Sequence, residues 1–396
     1  MEKKMKKIYL DNAATTRVCP EVVEKMRKFF VEKYGNASSL HAVGVEAGEG
    51  LKVARKAIAD FVGCSVDEIV FTSGGTESNN LALRGLALAY PLKKHIVTSV
   101  IEHPSVLETC RALEKNGYEV DYIGVGKDGL VSVADIKKKI RKDSLVVSVM
   151  HVNNEIGTVQ PIEEIGKICK KAGVYFHTDA VQGFGKIKLD LKNIDLMSVS
   201  GHKFGAPKGV GFLYVKKGVK VLPILTGGGQ ENGMRSGTEN VPGIVGMAVA
   251  LNVGGSVVGG RWSKKEAIKK SRDRIVAGLL KIPGTRINGS LSKRIYNNVN
   301  VSFYGIEGES LMLMLDGDGI FVSTGSACAS TKLAESYVLK AIGVEELYIH
   351  GSLRLSLNSE IVGNENYVVG RITKGVERLR KISPFKLNLE NVNNER

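Results

Sequence analysis

Two charged residues, Lys203 and Asp179, follow short apolar runs that are typical of buried strands. Lys203 comes after residues 195–199, and the glycines and proline behind it predict irregular backbone at a strand end. An amine and a carboxylate at two such ends are what pyridoxal phosphate requires, a lysine for the Schiff base and an acid for the pyridine nitrogen. A structural salt bridge is the alternative that the spacing leaves open.

Two further segments at predicted strand ends could bind a ligand that has a phosphate group and an aromatic ring. Gly74, Gly75 and Thr76 join a predicted strand to a predicted helix. Glycines let backbone N–H groups turn towards a phosphate, and a helix N-terminus favours negative charge, although this motif alone slightly favours a plain capped turn between strand and helix. His103 could stack on an aromatic cofactor or cap the helix that follows it. Each motif, taken singly, therefore keeps a structural interpretation.

Polar side chains at other strands could contact the same ligand. Asn154, in an amide-rich segment, and Gln182 could each donate a hydrogen bond to a phenolate oxygen. Arg354 interrupts the apolar alternation of a predicted strand. Its guanidinium could bind a substrate carboxylate through two parallel hydrogen bonds, or it could form a structural ion pair.

The thiol of Cys328 lies among small residues in the segment 324–331. Core cysteines usually have bulky apolar neighbours, whereas small neighbours give a thiol access to a ligand, so Cys328 is a candidate nucleophile. The remaining cysteines fall in stretches typical of helices or helix ends, and they are Cys19, Cys64, Cys110 and Cys169. No two cysteines have C-x-x-C spacing, so we expect neither a disulfide framework nor a metal site.

The composition is that of a soluble globular protein with a strong positive charge. The 396 residues include 56 Lys and Arg against 41 Asp and Glu, a formal net charge of +15. That balance can indicate an acidic partner such as RNA, but the lysines are widely spread, which favours a solvated surface and no direct nucleic-acid binding. No apolar run approaches the roughly 20 residues of a membrane span, and the N-terminus lacks a signal-peptide core. We therefore expect a cytoplasmic protein.

Predicted strands and helices alternate from about residue 68 to residue 215. This alternation predicts an α/β fold with a large, doubly wound, mostly parallel sheet, whose ligands lie outside the carboxyl ends of the strands. Shorter elements after residue 229 predict a smaller α+β domain that includes the N-terminal strand. The expected large domain covers 17–252, a glycine-rich connection covers 253–260, and the small domain, which carries the Cys328 segment, covers 1–16 and 261–396.

Together the motifs resemble the cysteine desulfurases, pyridoxal-phosphate enzymes of fold type I in the class V aminotransferase group. The matching segments follow the family's order and are 9–16, 72–79, 151–157, 177–180, 200–203, 234–240 and 325–328. The segment around Cys328, with its long run to Tyr337, is similar to that of the housekeeping branch, which serves iron–sulfur assembly. Ala37 departs from the family, where proline is common, and the tail after Pro384 is short for docking a scaffold.

The resemblance implies how the cofactor is held. Lys203 would form the Schiff base, Asp179 would face the pyridine nitrogen and His103 would stack on the ring. Gln182 and Asn154 would contact the ring from the side of the phenolate oxygen. The implied phosphate ligands are Gly75, Thr76, Ser200, His202 and, from the second subunit of a homodimer, Thr238.

The resemblance also implies the reaction. Asn154 and Arg354 would bind the carboxylate of L-cysteine, with Asn36 nearby, and Cys328 would attack the substrate sulfur and carry it as a persulfide. L-alanine would leave, and the sulfur would pass to an acceptor such as an iron–sulfur scaffold protein or to tRNA thiolation. A related class V aminotransferase and a selenocysteine lyase are the alternatives. The thiol of Cys328 disfavours the aminotransferase, because transamination needs no such group.

Overall fold

The computed structural model describes residues 6–254, 264–325 and 335–385, so Cys328 and most of the glycine-rich connection 253–260 lie outside the described residues. The strands within these ranges are β1 (Ile8–Tyr9), β2 (Ile69–Thr72), β3 (His95–Ser99), β4 (Glu119–Ile123), β5 (Ser144–Ser148), β6 (Tyr175–Asp179), β7 (Leu196–Ser200), β8 (Gly211–Val215), β9 (Thr285–Ile287), β10 (Asn298–Phe303), β11 (Ile320–Phe321) and β12 (Ser352–Ser356). The helices are α1 (Pro20–Val31), α2 (Ala42–Val62), α3 (Gly75–Ala89), α4 (Pro104–Glu114), α5 (Val133–Lys139), α6 (Ile162–Ala172), α7 (Val241–Gly254), α8 (Lys265–Leu279), α9 (Gly308–Gly317), α10 (Tyr337–Ala341), α11 (Glu346–Ile349) and α12 (Glu365–Ile382).

Seven strands form the large sheet, in the order β2-β8-β7-β6-β5-β3-β4. Strands β3 to β7 pair in parallel, and β8 pairs antiparallel with both β2 and β7. The alternation of strands and helices predicts parallel pairing and does not specify that β8 runs in the opposite direction. Residues 201–210 join β7 to β8 without an α-helix, a connection shorter than a parallel crossover needs. The mostly parallel α/β sheet predicted from the sequence is confirmed.

Both faces of this sheet are covered. Phe71 and Met197 point into one apolar cluster, whereas their neighbours Val70 and Leu196 point into another on the opposite face. Successive side chains of a strand alternate between faces, so a strand buried on both sides reads as a continuous apolar run. This explains why β2 and β7 have no polar alternation and why the helices lie on both faces.

The C-terminal part of the described chain has its own apolar cluster. Strands β12, β10 and β9 form an antiparallel sheet, and β1 pairs in parallel with β11. Ile8 and Leu10 are buried in this cluster with Leu353, Leu355 and Val368. The N-terminal strand therefore packs with elements that follow it by more than 300 residues.

The connections place polar groups at one edge of the large sheet. The carboxyl ends of β2, β3, β5, β6 and β7 are found at the same edge, since these strands run in the same direction. Helix α4 begins directly after His103, with Pro104 in its first turn, where a missing N–H costs nothing. No helix in the described ranges is both long enough and apolar enough to cross a membrane.

Candidate active site

A cavity of about 220 Å³ opens at the carboxyl edge of the large sheet. Ten residues singled out from the sequence line it, and they are Gly75, Thr76, His103, Asn154, Asp179, Gln182, Ser200, His202, Lys203 and Arg354. They come from five strand ends of the large sheet and, in the case of Arg354, from β12. The fold thus brings the separate motifs to one place.

Lys203 follows β7 in a single turn of 3-10 helix and lines the cavity. Its Nζ donates hydrogen bonds to the carbonyl oxygens of Ala13 (2.8 Å) and Ala14 (2.7 Å). Gln182 also donates from Nε2 to the Ala13 oxygen, at 2.9 Å. The N-terminal loop therefore supplies backbone acceptors that hold the lysine amine at the cavity.

Asp179 is the last residue of β6 and is almost fully buried. Its Oδ1 accepts from the backbone N–H of Val181 at 3.0 Å, and its Oδ2 accepts from Asn79 Nδ2 at 2.7 Å. These two hydrogen bonds fix the carboxylate at the cavity, where it could accept a hydrogen bond from a protonated ring nitrogen.

His103 both caps α4 and lines the cavity, so the two interpretations of this residue are compatible. Its Nδ1 accepts from the backbone N–H of Ser105 at 3.1 Å and lies 2.8 Å from the Ser105 hydroxyl. Burial chiefly, together with the positive charge of Lys203, lowers the pKa of His103, against the opposing effect of Asp179. The imidazole is therefore held neutral with its other nitrogen directed away from the helix.

Glycines and a helix start form the narrow end of the cavity. A Cβ on Gly75 would lie 2.7 Å from Val181 Cγ2, and Gly74 has a φ of +150° that other residues rarely adopt. Helix α3 begins here and presents unpaired N–H groups beside Thr76 and Ser200. This cradle suits a phosphate group.

His202 borders the same end and contributes no fixed positive charge. Burial, followed by the charges of Lys203, Lys208 and Lys186, lowers the pKa of His202 to about 4. Its Nδ1 lies 3.1 Å from the hydroxyl of Thr15. The neutral ring can therefore donate a hydrogen bond to an anion without adding a charge.

Arg354 enters the cavity from β12 and is almost fully buried. Its Nη2 lies 2.8 Å from Asp11 Oδ1, and its Nη1 donates to the carbonyl oxygen of Asn154 at 3.1 Å. The Nε of Arg354 and the Oδ1 of Asn154 are buried without a partner among the described residues. Arg354 thus forms a structural ion pair with Asp11, and its Nε–H is still available to a ligand.

Two ionisable groups near the cavity were not identified from the sequence. Lys186 is 6% exposed, and its Nζ donates to Gln182 Oε1 at 3.3 Å. Burial, with a smaller effect from Lys203, lowers the pKa of Lys186 to about 7. Burial raises the pKa of Glu102, next to His103, to about 8, although Ser99 donates to its carboxylate.

The glycine-rich segment 227–240 packs beside the phosphate cradle. Arg235 donates from Nε to Glu77 Oε1 at 2.8 Å, and Glu77 lies in the first turn of α3. The buried carboxylate of Glu231 pairs with Arg55 and accepts from the backbone N–H of Phe71. These contacts attach the segment to β2 and α3, which composition alone did not predict.

Three predicted residues do not line the cavity of the described chain. Asn36 is exposed in the loop between α1 and α2, where its Oδ1 accepts from the backbone N–H of Ser38. Thr238 is exposed in the glycine-rich segment. Cys328 lies outside the described residues. The roles of these three residues remain predictions.

The structure adds seven lining residues to those predicted, namely Ala13, Ala14, Asn79, Ser105, Met150, Val152 and Val181. Ala13 and Ala14 act through backbone carbonyls, which have no signature of their own in a sequence. Asn79 lies inside the matching segment 72–79, and Ser105 lies two residues after His103. Their polar side chains on the first turns of helices were the available signal.

The residues present fit pyridoxal phosphate. The cradle at Gly75 has room for no Cβ, Asp179 is buried with two donors, and the Asn154 Oδ1 and Arg354 Nε still lack partners. A phosphate would fit the cradle, a pyridinium nitrogen would donate to Asp179, and a carboxylate would accept from Arg354 Nε, whereas Asn154 Oδ1 is itself an acceptor and would need a donor from the ligand. Lys203 lines the same cavity.

A cluster of Glu335, Glu346 and His350 lies apart from this cavity. Their ligand atoms are close enough to share an ion, but Glu335 already pairs with Lys340 and with His350 Nε2 at 3.1 Å. Glu346 and His350 are exposed. Such surface groupings are common without a metal, and the cluster carries no functional argument.

Comparisons with known proteins show where this arrangement recurs. Residues 8–362 match the family described as aminotransferase class-V. The chain is 50% identical over 387 residues to the cysteine desulfurase IscS of Methanosarcina thermophila, covering 96% of this chain and 94% of that protein. Among solved structures, a NifS-like protein superposes with a TM-score of 0.87 at 40% identity, covering 94% of this chain and 100% of its own. SspA in complex with cysteine superposes with a TM-score of 0.79 at 36% identity, over 89% of this chain and 99% of its own.

Proposed function

The chain belongs to the class-V aminotransferase family, and we propose that its cavity carries out the desulfuration of L-cysteine to L-alanine with the residues assigned below. It is a pyridoxal-phosphate-dependent cysteine desulfurase, as are relatives that match it over nearly the whole chain. The observation that carries the residue assignment is the convergence of Lys203, Asp179 and Arg354 on one cavity.

Pyridoxal phosphate, when bound, supplies an electron sink for the charge that develops as the substrate loses its α-proton. Asp179 would support this role by holding a proton on the ring nitrogen, and the donors Asn79 Nδ2 and Val181 N–H hold its carboxylate in place. His103 would cover one face of the ring, and Gln182 and Asn154, which line the same cavity, would contact it. Gly75, Thr76, Ser200 and His202 would hold the phosphate.

Lys203 would hold the cofactor and would act as the base that takes the α-proton of the substrate. The carbonyl oxygens of Ala13 and Ala14 accept hydrogen bonds from its Nζ at 2.8 and 2.7 Å and fix its position. A lysine amine fixed by two acceptors has a defined position, which is what proton transfer requires.

Arg354 and Asn154 bind the carboxylate of the substrate. The remaining Nε–H of Arg354 is buried and has no acceptor among the described residues, so a carboxylate there would satisfy it. The Asp11 pair holds the guanidinium in place. We keep Asn36 as a more distant contact, predicted from the resemblance alone.

The sulfur step is assigned to Cys328. Its thiolate attacks the substrate Sγ, the Cβ–Sγ bond breaks, and its electron pair passes to the substrate carbon, which is protonated to give alanine. Sulfur leaves as a persulfide on Cys328. Burial raises the pKa of the Cys64, Cys110 and Cys169 thiols to about 12, so these three are protonated at neutral pH and poor nucleophiles.

We further propose a homodimer in which Thr238 completes the phosphate site of the other subunit. Thr238 is exposed and away from the cavity of its own chain, as a residue serving a second subunit would be. The end of α1 and the loop to α2 expose several large apolar side chains, and they are Phe30, Val31, Tyr34 and Leu40. A two-fold dimer that covers this apolar surface, residues 30–40, would account for its exposure.

The wider setting is also proposed rather than tested. We place the protein in the cytoplasm, with its persulfide passing to an iron–sulfur scaffold protein or to tRNA thiolation. We retain a large domain at 17–252 and a small domain at 1–16 and 261–396, a division supported by their separate apolar clusters.

One assay tests the activity and its competitors. Purified protein incubated with L-cysteine and a thiol reductant should release sulfide and alanine in equal amounts, whereas Lys203→Ala should release neither. A parallel reaction with L-selenocysteine measures selenide. Transfer of the amino group to a keto acid without sulfide release would instead indicate an aminotransferase and would contradict the proposal.

A further inference from the structure

A continuous hydrogen-bonded chain joins Asp179 to His103 through two residues that have no role in the proposal above. Asn79 Nδ2 lies 2.7 Å from Asp179 Oδ2 and 2.8 Å from Ser105 Oγ. Ser105 Oγ in turn lies 2.8 Å from His103 Nδ1. Asn79 and Ser105 are both buried at the cavity wall.

The direction of every hydrogen bond in this chain is determined. The carboxylate of Asp179 can only accept, so the Asn79 atom beside it is the NH₂ nitrogen, and its second hydrogen points to Ser105 Oγ. The Ser105 hydroxyl, having accepted, directs its own hydrogen to His103 Nδ1. The backbone N–H of Ser105 donates to the same nitrogen at 3.1 Å.

His103 Nδ1 therefore receives two donors and cannot carry a hydrogen itself. In the neutral ring the hydrogen must then lie on Nε2, the nitrogen that is turned away from α4. A proton on Nδ1 would also meet the Ser105 N–H head-on, which opposes formation of the imidazolium.

We propose that Asn79 and Ser105 are positioning residues that hold His103 as the neutral Nε2–H tautomer and link it to Asp179. The functional part of this inference rests on the proposed function, because it gives the reaction a hydrogen-bond donor of fixed position at Nε2. The neutral ring then orients a substrate acceptor atom through its Nε2–H and keeps this proton throughout, because Nδ1, filled by two donors, cannot take a second proton to replace it.

Nuclear magnetic resonance of the full-length protein as purified, with labelled histidine nitrogens, tests the tautomer directly. Long-range proton–nitrogen correlations distinguish a protonated ring nitrogen from an unprotonated one, and a His103→Gln sample identifies the His103 signals. We expect a single Nε2–H tautomer in the wild type. An Nδ1–H tautomer, or an equal mixture, would overturn the inference even if the variants below did not fold.

Substitutions then separate positioning from simple structural support. Ser105→Ala should give a mixture of tautomers and raise the apparent pKa of His103 by about one unit, since one donor to Nδ1 is lost. Asn79→Ala should give a smaller change in the same direction, because the Ser105 hydroxyl becomes free to rotate. Ser105→Thr should restore the wild-type tautomer.

Thr109→Ala is the matched control. Thr109 is buried on the same helix and donates from Oγ1 to the carbonyl oxygen of Ser105 at 2.8 Å, so its loss weakens α4 without touching the ring. It should leave the His103 tautomer unchanged. A Ser105→Ala protein with the wild-type tautomer and pKa, or a Thr109→Ala protein with the altered ones, would count against the inference.

Turnover gives a second and separate measurement. Ser105→Ala should lower kcat for desulfuration by about 10- to 100-fold with little change in KM, as expected for loss of an oriented hydrogen-bond donor. If the tautomer result holds but no protein releases sulfide, the positioning inference stands and the proposed function fails. An unchanged kcat in a Ser105→Ala protein whose tautomer has changed would show that the chain has no catalytic role.

Discussion

The Nζ of Lys203 lies 2.8 Å from the carbonyl oxygen of Ala13. Lys203 follows β7 at the centre of the large sheet, whereas Ala13 belongs to the loop after β1, the strand that packs with the C-terminal elements. The proposed catalytic lysine is thus held by backbone from the other end of the fold. The segment 9–16 contributes to the site through these carbonyls and through Asp11, which pairs with Arg354.

Replacing Lys203 with alanine should remove the covalent link to the cofactor. We expect no lysine–cofactor adduct after borohydride reduction, and a loss of sulfide release of at least about 10²–10⁴-fold, the usual worth of a positioned acid–base group. Mass spectrometry of the reduced peptide detects the lysine–cofactor adduct, and a sulfide assay measures the loss of activity. Lys208→Ala, at a nearby lysine that is not part of the cavity lining, is the control and should keep both.

The sequence located this site because parallel strands end together. Lys203, Asp179 and His103 are far apart in the chain, yet each follows an apolar run, and the carboxyl ends of such runs meet at one edge of the sheet. The roles of Ala13 and Lys186 could not be predicted in this way. One acts through a carbonyl that every residue possesses, and the other is buried by packing that no local pattern reveals.

The pairing of β8 and the proposed role of Thr238 show what the alternation of strands and helices does not specify. Alternation predicts a mostly parallel sheet but not which strand is reversed, and β8 is antiparallel to both β2 and β7. The proposed role of Thr238 came from the family resemblance, because the neighbours of a residue that serves a second subunit belong to another molecule and leave no pattern in one chain.

Arg354 has two separable roles, an ion pair with Asp11 and a predicted contact with the substrate. Arg354→Gln should raise KM for L-cysteine by about 10- to 100-fold, the worth of a hydrogen bond to a charged group, and should also lower the free energy of unfolding. Steady-state kinetics and urea unfolding measure the two effects.

Asp11→Asn separates these roles. It weakens the ion pair but keeps the guanidinium, so it should lower stability while KM stays within a few-fold of the wild type. Equal changes in KM for Arg354→Gln and Asp11→Asn would mean that Arg354 acts only by supporting the structure.

Cys328→Ser should retain the cofactor and bind L-cysteine, because Lys203 and Asp179 are unchanged, but should form no persulfide. We expect sulfide release to fall by about 10³-fold or more, since a serine hydroxyl cannot replace the thiolate. After brief exposure to cysteine, peptide mass spectrometry should find the additional sulfur atom on the wild-type peptide that contains Cys328.

Cys64→Ser is the control for this experiment. Cys64 is the most exposed of the four described cysteines, and burial raises its pKa to about 12. Its loss should leave sulfide release unchanged. Extra sulfur on Cys64, or full turnover by Cys328→Ser, would show that the nucleophile is assigned wrongly.

The proposed dimer can be tested at the apolar surface of residues 30–40. Tyr34 and Leu40 are 68% and 97% exposed in the single chain. The double variant Tyr34→Asp, Leu40→Asp should shift the protein from dimer to monomer, because two charges would be desolvated in the interface. Analytical ultracentrifugation measures the mass.

Leu92→Asp provides the control for that shift. Leu92 is 92% exposed but lies after α3, near the amino end of β3 and so opposite the edge that bears the cavity. It should remain dimeric. A cofactor-loaded wild-type monomer, or a double variant that stays dimeric, would contradict both the interface and the role of Thr238.

Lys186 should make stability depend on pH. Burial lowers its pKa to about 7 in the folded protein, against about 10.4 for an exposed lysine, so the unfolded chain binds more protons between these values. The unfavourable contribution of Lys186 to the free energy of folding is greatest below pH 7 and disappears as pH rises towards 10.4. Lys186 therefore destabilises the folded state less at pH 9 than at pH 7. Lys186→Met should remove this part of the pH dependence and gain roughly a few kcal/mol at pH 7, less the hydrogen bond to Gln182.

Urea unfolding of the wild type and Lys186→Met at pH 7, 8 and 9 measures the difference, since every other titrating group cancels in the comparison. Lys188→Met is the matched control, because Lys188 is an exposed lysine two residues further along and should give a profile parallel to the wild type. Parallel profiles for Lys186→Met as well would mean that Lys186 keeps its charge in the folded protein. In that case its ammonium group must be stabilised by something other than its single contact with Gln182, and its influence on the neighbouring Lys203 would be that of a permanent positive charge.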